Sequence, residues 1–195
     1  MFRTRRRFVA LGIVLVAGLS AGAGRAGADA DASLRVEVSG ALQAPFEAVR
    51  ETLLDLEAFG GWFPGLTEWG VLSRQPGIAR VHGRQQLPWP VSDRDYVVRY
   101  RWWEEPEGAF VLEAVALSDT GPDPAPGVVR AEEFRTEWRV ERAEQATHVR
   151  YLYEGREQPV LARWAAKLGW RGPTGRVIEA LAQELRLRSR DAALD

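Results

Sequence analysis

Pro88-Trp89-Pro90-Val91-Ser92-Asp93-Arg94-Asp95-Tyr96-Val97-Val98-Arg99-Tyr100 is the stretch from which the rest of the chain is read. Two prolines bracket a tryptophan. Proline fixes φ and lacks a backbone donor, so Trp89 belongs to a stiff loop outside any hydrogen-bonded ladder. A polar Ser-Asp-Arg-Asp turn follows, then a run of aromatic and β-branched residues that reads as a strand over 94–104. Alternation puts Arg94, Tyr96, Val98, Tyr100 and Trp102 on one face. Asp95, Val97, Arg99, Arg101 and Trp103 fall on the other, and the first set is the interior one.

Working outward, further strands are expected at 66–74, 78–87, 109–117, 128–141 and 146–154. Turn signals separate them: Gln75-Pro76-Gly77, Glu105-Pro106-Glu107-Gly108 and Gly121-Pro122-Asp123-Pro124-Ala125-Pro126-Gly127. Ser33 to Leu42 also alternates, with Leu34, Val36 and Val38 against Arg35, Glu37 and Ser39. Pro45 suits a first helical turn, and Phe46, Val49, Leu53 and Leu56 recur at helical spacing, so 45–57 reads as an amphipathic helix. Gly60-Gly61 is expected to stop it, ahead of an aromatic turn at Trp62-Phe63-Pro64-Gly65. Near the C-terminus, 159–168 carries a second helical pattern. Pro173 opens a longer helix with Val177, Ile178, Leu181 and Leu185 on one side and Arg176, Glu179, Glu184 and Arg186 elsewhere. The pattern is α+β, with about seven antiparallel strands joined largely by hairpins.

The quoted stretch resembles the Pro-Trp-Pro-x-Ser-x-Arg-Asp-(Tyr/Phe)-Val signature of START domains, over a span of roughly 33 to 188. The resemblance implies a helix-grip fold, a curved antiparallel sheet around a long C-terminal helix. It also implies one lipid bound in a cavity that the helix roofs. The implied wall is Arg94, Tyr96, Val98, Tyr100, Trp102, Phe110, Leu112, Ala114, Tyr151, Tyr153, Ile178 and Leu181, with Trp89 as the gate and membrane contact. The residues by themselves favour the plainer alternative, in which the aromatic face packs against the last helix as core.

Several positions carry two readings. Asp95 suits a turn cap. Arg94 has interior parity and, if buried, needs a partner: Asp93, Asp95, Glu132, Glu137 or a ligand head group. A structural ion pair is the favoured reading. Tyr151 is either a core tyrosine bonded to the protein or a lipid-facing hydroxyl, and Trp89 either gates the cavity or folds back onto the body. The chain also departs from the family pattern: Gly155-Arg156-Glu157-Gln158-Pro159 lacks the second tryptophan that some members carry after the last strand. Ala114, near a position where ceramide-binding relatives carry a polar group, suits a sterol-, hopanoid- or acyl-type ligand.

Residues 1–28 read as an address. Arg3, Arg5, Arg6 and Arg7 precede an uncharged run from Phe8 to Gly24, and Ala26-Gly27-Ala28 forms an Ala-x-Ala site. Thr4-Arg5-Arg6-Arg7-Phe8-Val9 also fits a twin-arginine signal. The expectation is a signal peptide at 1–28, one START-like domain at 29–195, and a periplasmic or extracellular protein. Cleavage takes Lys+Arg from 26 to 21 against 27 acidic residues, a net charge of −6. That balance argues against nucleic acid and against simple adhesion to anionic lipid, leaving a transient membrane contact. Cysteine is absent, so no disulfide, thiolate metal site or lipobox is available. A monomer is the expected state.

Enzyme chemistry has few sources. His82 and His148 are the two histidines, and both fall on strand faces that read as outward. Neither sits at a catalytic-triad or metal-ligand spacing, and no glycine-rich phosphate loop occurs. No metal or cofactor is expected. The expected activity is non-catalytic lipid binding and transfer. The alternatives are a polyketide cyclase or aromatase using Arg94, Tyr96, Tyr100 and Tyr151, or an envelope-complex module whose interior is filled by side chains.

Overall fold

A computed structural model of the chain describes residues 15–18, 32–87, 89, 92–118, 120–157 and 176–193. In order along the chain these form β1 (Leu15–Gly18), β2 (Ala32–Leu42), α1 (Phe46–Leu54), α2 (Phe59–Trp62), β3 (Leu66–Gln75), β4 (Ile78–Gln85), β5 (Arg94–Glu104), β6 (Phe110–Ala116), β7 (Val129–Arg130), β8 (Phe134–Arg142), β9 (Thr147–Glu157) and α3 (Val177–Asp191). The sheet order is β1-β2-β9-β8-β6-β5-β4-β3, antiparallel throughout, with β7 added in parallel to β5. The expected strand over 128–141 is two pieces, broken at 131–133, and its first piece crosses to β5. β1 lies inside the segment read as an address and pairs with β2, Leu15 opposite Gly40.

One side of the sheet is covered by helix. α1 buries Phe46, Val49, Thr52 and Leu53. α3 buries Val177, Ile178, Leu181, Ala182 and Leu185, a stripe at helical spacing. These two sets meet Val38, Val81, Leu112, Trp138, Val140 and Val149 from the sheet in one core. Arg188 of α3 reaches Asp55, just past α1, at 2.8 Å and ties the two helices together. The expected helix over 159–168 and the turn before Pro173 lie outside the described residues.

Two local readings are corrected. α1 ends at Leu54, and Gly60-Gly61 lie inside the short helix α2 instead of terminating α1. The aromatic turn is therefore a separate helical piece, Phe59 to Trp62, held by the Phe63 amide donating to the Phe59 carbonyl at 3.0 Å.

The other side of the sheet carries a ribbon of ion pairs crossing β5, β6, β8 and β9. Arg101 and Arg135 both hold Glu113, each at 2.8 Å; Arg135 also holds Glu137 at 2.6 Å, and Arg150 reaches Glu137 at 3.0 Å. Burial pushes the Glu113 carboxyl up, but the hydrogen bonds from Arg101 and Arg135 outweigh it and hold the carboxyl below the usual glutamate range. A depressed carboxylate contributes stability above its unfolded value, and the contribution is lost as pH falls through its folded value. Urea denaturation should therefore show stability declining below about pH 4.3. Glu113→Gln should flatten that acid limb and cost roughly 1–2 kcal/mol at neutral pH, since both arginines are half-exposed and screened.

Candidate functional site

Between the sheet and α2 lies an aromatic-walled cavity of about 80 Å³. Tyr96, Val98 and Tyr100 of β5, Ala114 of β6, Thr136 and Trp138 of β8, and Tyr151 and Tyr153 of β9 form the sheet wall. Phe59, Phe63, Leu66, Trp69, Phe134 and Gln85 complete it. Ala114 sits in register between Tyr100 and Thr136, and its short side chain leaves space at the middle of the wall. The sheet would otherwise be closed there by bulk.

The structure therefore brings together six residues expected at the wall: Tyr96, Val98, Tyr100, Ala114, Tyr151 and Tyr153. Trp102, Phe110, Leu112, Ile178 and Leu181 do not line the cavity. Phe110 and Leu112 of the sheet and Ile178 and Leu181 of α3 are buried in the core, and Trp102 is partly buried against it. Arg94 shares the face but stands beyond Tyr96, one strand position outside the lining set. Trp89 is 90 % exposed; it does not fold back onto the body. Pro88, Pro90 and Val91 lie outside the described residues.

Sequence reading missed Phe59, Phe63 and Trp69, which close the cavity from the helical side. The Trp69 indole is the wedge. Its Nε1 donates to the Leu56 carbonyl at 2.6 Å, and its ring stacks on Phe59 with centroids 5.4 Å apart. Two glycines make room for it. A Cβ at Gly60 would stand 2.5 Å from Trp69 Cβ, and one at Gly83 would stand 2.7 Å from its Cε3. The available signal was Gly60, read together with Gly61 as a helix stop when its own task is close approach, and Gly83 inside a strand.

Further ring contacts run through the cavity. Trp138 and Tyr151 lie 4.7 Å apart, Phe63 and Tyr151 6.3 Å, and Phe59 and Tyr100 6.1 Å. Toward the rim, Phe134 packs between Tyr96 and Tyr153 at 5.3 and 6.0 Å. The rim has a fixed polar pair: Tyr96 Oη donates to Gln85 Oε1 at 2.6 Å, and Gln85 Nε2 donates to the Pro64 carbonyl at 2.9 Å.

Deeper in, Tyr100 and Tyr151 are buried phenols. Burial pushes Tyr100 well above the ordinary tyrosine value, and the neighbouring Tyr151 pushes it further. Burial likewise raises Tyr151, against a smaller lowering by its hydrogen bond with Thr136. Both therefore stay protonated at neutral pH and act as neutral hydroxyls, not as bases. The histidines are elsewhere. His82 is on the outward face, but it is half-buried against Asp95, with Nε2 at 2.6 Å from Oδ2. Asp95 is no turn cap; it binds His82 and also Arg130, which carries the 117–131 segment onto β5. His148 is exposed. Among the described residues no group of three His, Asp or Glu is placed to hold a metal ion.

Solved structures share this fold. A STAR-related lipid transfer protein from Xanthomonas axonopodis superposes with a TM-score of 0.65 at 23% identity, over 87% of this chain and 98% of that one. The fold is the START-like helix grip. Human StAR-related lipid transfer protein 5 matches at a TM-score of 0.71 and 14% identity, covering 95% of this chain and 90% of its own. The Zhui aromatase/cyclase from Streptomyces sp. R1128 matches at 0.60 and 17%, over 82% and 98%. No family model matches the sequence, and no curated protein does. In this helix grip the cavity occupies the end of the sheet face between α2 and the β5–β8–β9 rim.

The wedge makes a measurable demand. Gly83→Ala should destabilise the chain by about 1–3 kcal/mol in denaturant melts, as overpacking does. Trp69→Phe in the same chain should recover part of that loss, so the double-mutant cycle should show coupling between the two positions.

Proposed function

We propose that the chain binds a single hydrophobic ligand of sterol, hopanoid or acyl type in the aromatic cavity and carries it without chemical change. The observation that supports this is the cavity's lining. Aromatic and aliphatic groups dominate, and a few hydroxyls, Tyr100, Tyr151 and Thr136, stand where they can orient a ligand. Those hydroxyls are neutral, and neither histidine lies in the cavity. The sharing of a fold with lipid transfer proteins agrees with the proposal at the level of architecture.

At about 80 Å³ the cavity is small, well short of the several hundred Å³ of a typical small-molecule site. Uptake therefore requires side chains to move. Phe63, half-buried just past α2, is the natural mover, whereas Phe59 is held by its stacking on Trp69. The exposed Trp89 is proposed to contact the membrane while the ligand passes, since tryptophan suits an apolar–polar boundary. The same small volume favours a second reading, an envelope module whose interior is filled by its own side chains. The fold shared with an aromatase/cyclase keeps turnover by the cavity phenols as a third.

Export is part of the proposal and rests on the pattern of residues 1–28. Cleavage after Ala28 would remove β1 and leave β2 as the sheet's outer edge.

Native mass spectrometry of protein purified from its host tests ligand and processing together. The expected spectrum shows a chain beginning at Asp29 with one extractable lipid bound. Ala114→Leu should fill the gap between Tyr100 and Thr136 and abolish lipid retention, with the far-ultraviolet dichroism unchanged. A ligand-free wild-type chain that also takes up no fluorescent sterol or fatty acid would support the filled-module reading instead. In a vesicle-to-vesicle assay, Trp89→Ala should slow transfer severalfold while leaving equilibrium affinity and stability near wild type, because an exposed loop side chain contributes little to the fold.

A further inference from the structure

We propose that the ligand is an amphiphile with a carboxylate head group and that Arg94 holds the carboxylate; the inference rests on the ligand-binding reading above. Arg94 is the first residue of β5 and is 4 % exposed. A guanidinium taken out of water must be paired or fully hydrogen-bonded. It has five N–H donors. Among the described residues its one hydrogen bond is from Nη1 to the Ser92 carbonyl, at 3.2 Å.

Every carboxylate the sequence offered as its partner is out of play. Asp93 pairs with Arg84 at 2.8 Å and also accepts the Leu87 amide. Asp95 is taken by His82 and Arg130. Glu137 is shared by Arg135 and Arg150 on the outward face. Glu132 is exposed, and no ion pair joins it to Arg94. The expected structural ion pair therefore does not form among these groups.

The position of Arg94 says what it is free to meet. It shares the face of Tyr96, Val98 and Tyr100 and stands directly opposite Gln85 in the β4–β5 register. Tyr96 and Gln85 both line the cavity, and Tyr96 is two residues along the strand, about 7 Å away. Gln85 offers Arg94 little, because its oxygen already accepts from Tyr96 and its amide donates to Pro64. Beyond the cavity's rim of Tyr96, Phe134 and Tyr153, and one strand position outside its lining, stands a buried cation.

A ligand with an apolar body in the cavity and an anion at this end meets both surfaces. The planar fork of an arginine fits a carboxylate through two parallel N–H···O bonds. A phosphate head group would call for a second cation. The arginines next to its strand partners Gln85 and Val129, Arg84 and Arg130, are turned to Asp93 and Asp95.

The test is a set of binding titrations on the purified full chain with dodecanoate, dodecanol and dodecyl phosphate, each below its micelle concentration. Wild type should bind dodecanoate at least tenfold more tightly than dodecanol. Arg94→Met should remove that preference while dodecanol binding, which also reports an intact fold, persists. Arg94→Lys should retain part of it. Equal affinity for acid and alcohol in wild type overturns the carboxylate assignment and leaves the ligand-binding reading standing. The same holds if Arg94→Met keeps the preference, or if dodecyl phosphate binds tenfold tighter than dodecanoate. Binding of none of the three probes overturns the carboxylate assignment, and overturns the ligand-binding reading as well when the chain also takes up no fluorescent sterol. The wild-type comparison needs no variant, so a poorly folding Arg94→Met chain does not remove the test.

Discussion

The seating of one indole, Trp69, governs the site. Gly60 and Gly83 hold it from two sides, and its only polar atom is satisfied by the Leu56 carbonyl. Through it the turn after α1 is locked to the β3–β4 hairpin. That lock places Phe59 and Phe63 over the concave face, and it is what separates a cavity from an open groove. With Cβ atoms at these two positions the ring could not lie so low, and the helical turn would stand off the sheet. The cavity is therefore a product of close backbone approach as much as of apolar composition.

How the sheet divides its two ends explains much of the rest. Phe110 and Leu112 share a face with Tyr96 and Tyr100, yet they are fully buried in the core with α1 and α3, and Trp102 on the same face is partly buried beneath the Arg74 guanidinium. At the opposite end the helical cover over the described sheet is the short aromatic turn, and buried polar groups appear: two phenols, a threonine and Arg94. The energetics differ accordingly. One end is stabilised by area removed from water. The other contains groups whose burial costs free energy unless each is matched.

β5 was legible to the residue, 94–104, because its alternation is regular and both ends carry turn signals. The face assignment of Tyr96, Val98, Tyr100, Tyr151 and Tyr153 followed from period alone. Position along the face did not, since alternation says which side a residue takes and nothing about which helix lies above it; hence Phe110 and Leu112 read as wall and proved to be core. Asp95 read as a local cap because its true partners, His82 and Arg130, stand 13 and 35 residues away. The break at 131–133 was invisible for the same reason: β7 leaves the β8 line in order to pair with a strand much earlier in the chain. Gly60 was misread because a helix stop and a site of close approach carry the same residue.

The staple from Arg130 to Asp95 has a kinetic consequence. The segment it secures lies across the outer face of β5, where Gly121 sits against Val97 closely enough that a Cβ there would stand 2.6 Å from the valine's Cγ2. Val97 is fully buried on that outward side while Val98 is buried on the other. The first half of β5, through Val98, is thus covered on both faces and hydrogen-bonded to β4 on one edge and to β7 and β6 on the other. Its amides can exchange with solvent only through the rarest openings of the molecule, whereas those of the edge strand β3 need little more than local fraying. The strand bearing Arg94 and the cavity tyrosines is then the frame against which the rest of the site moves.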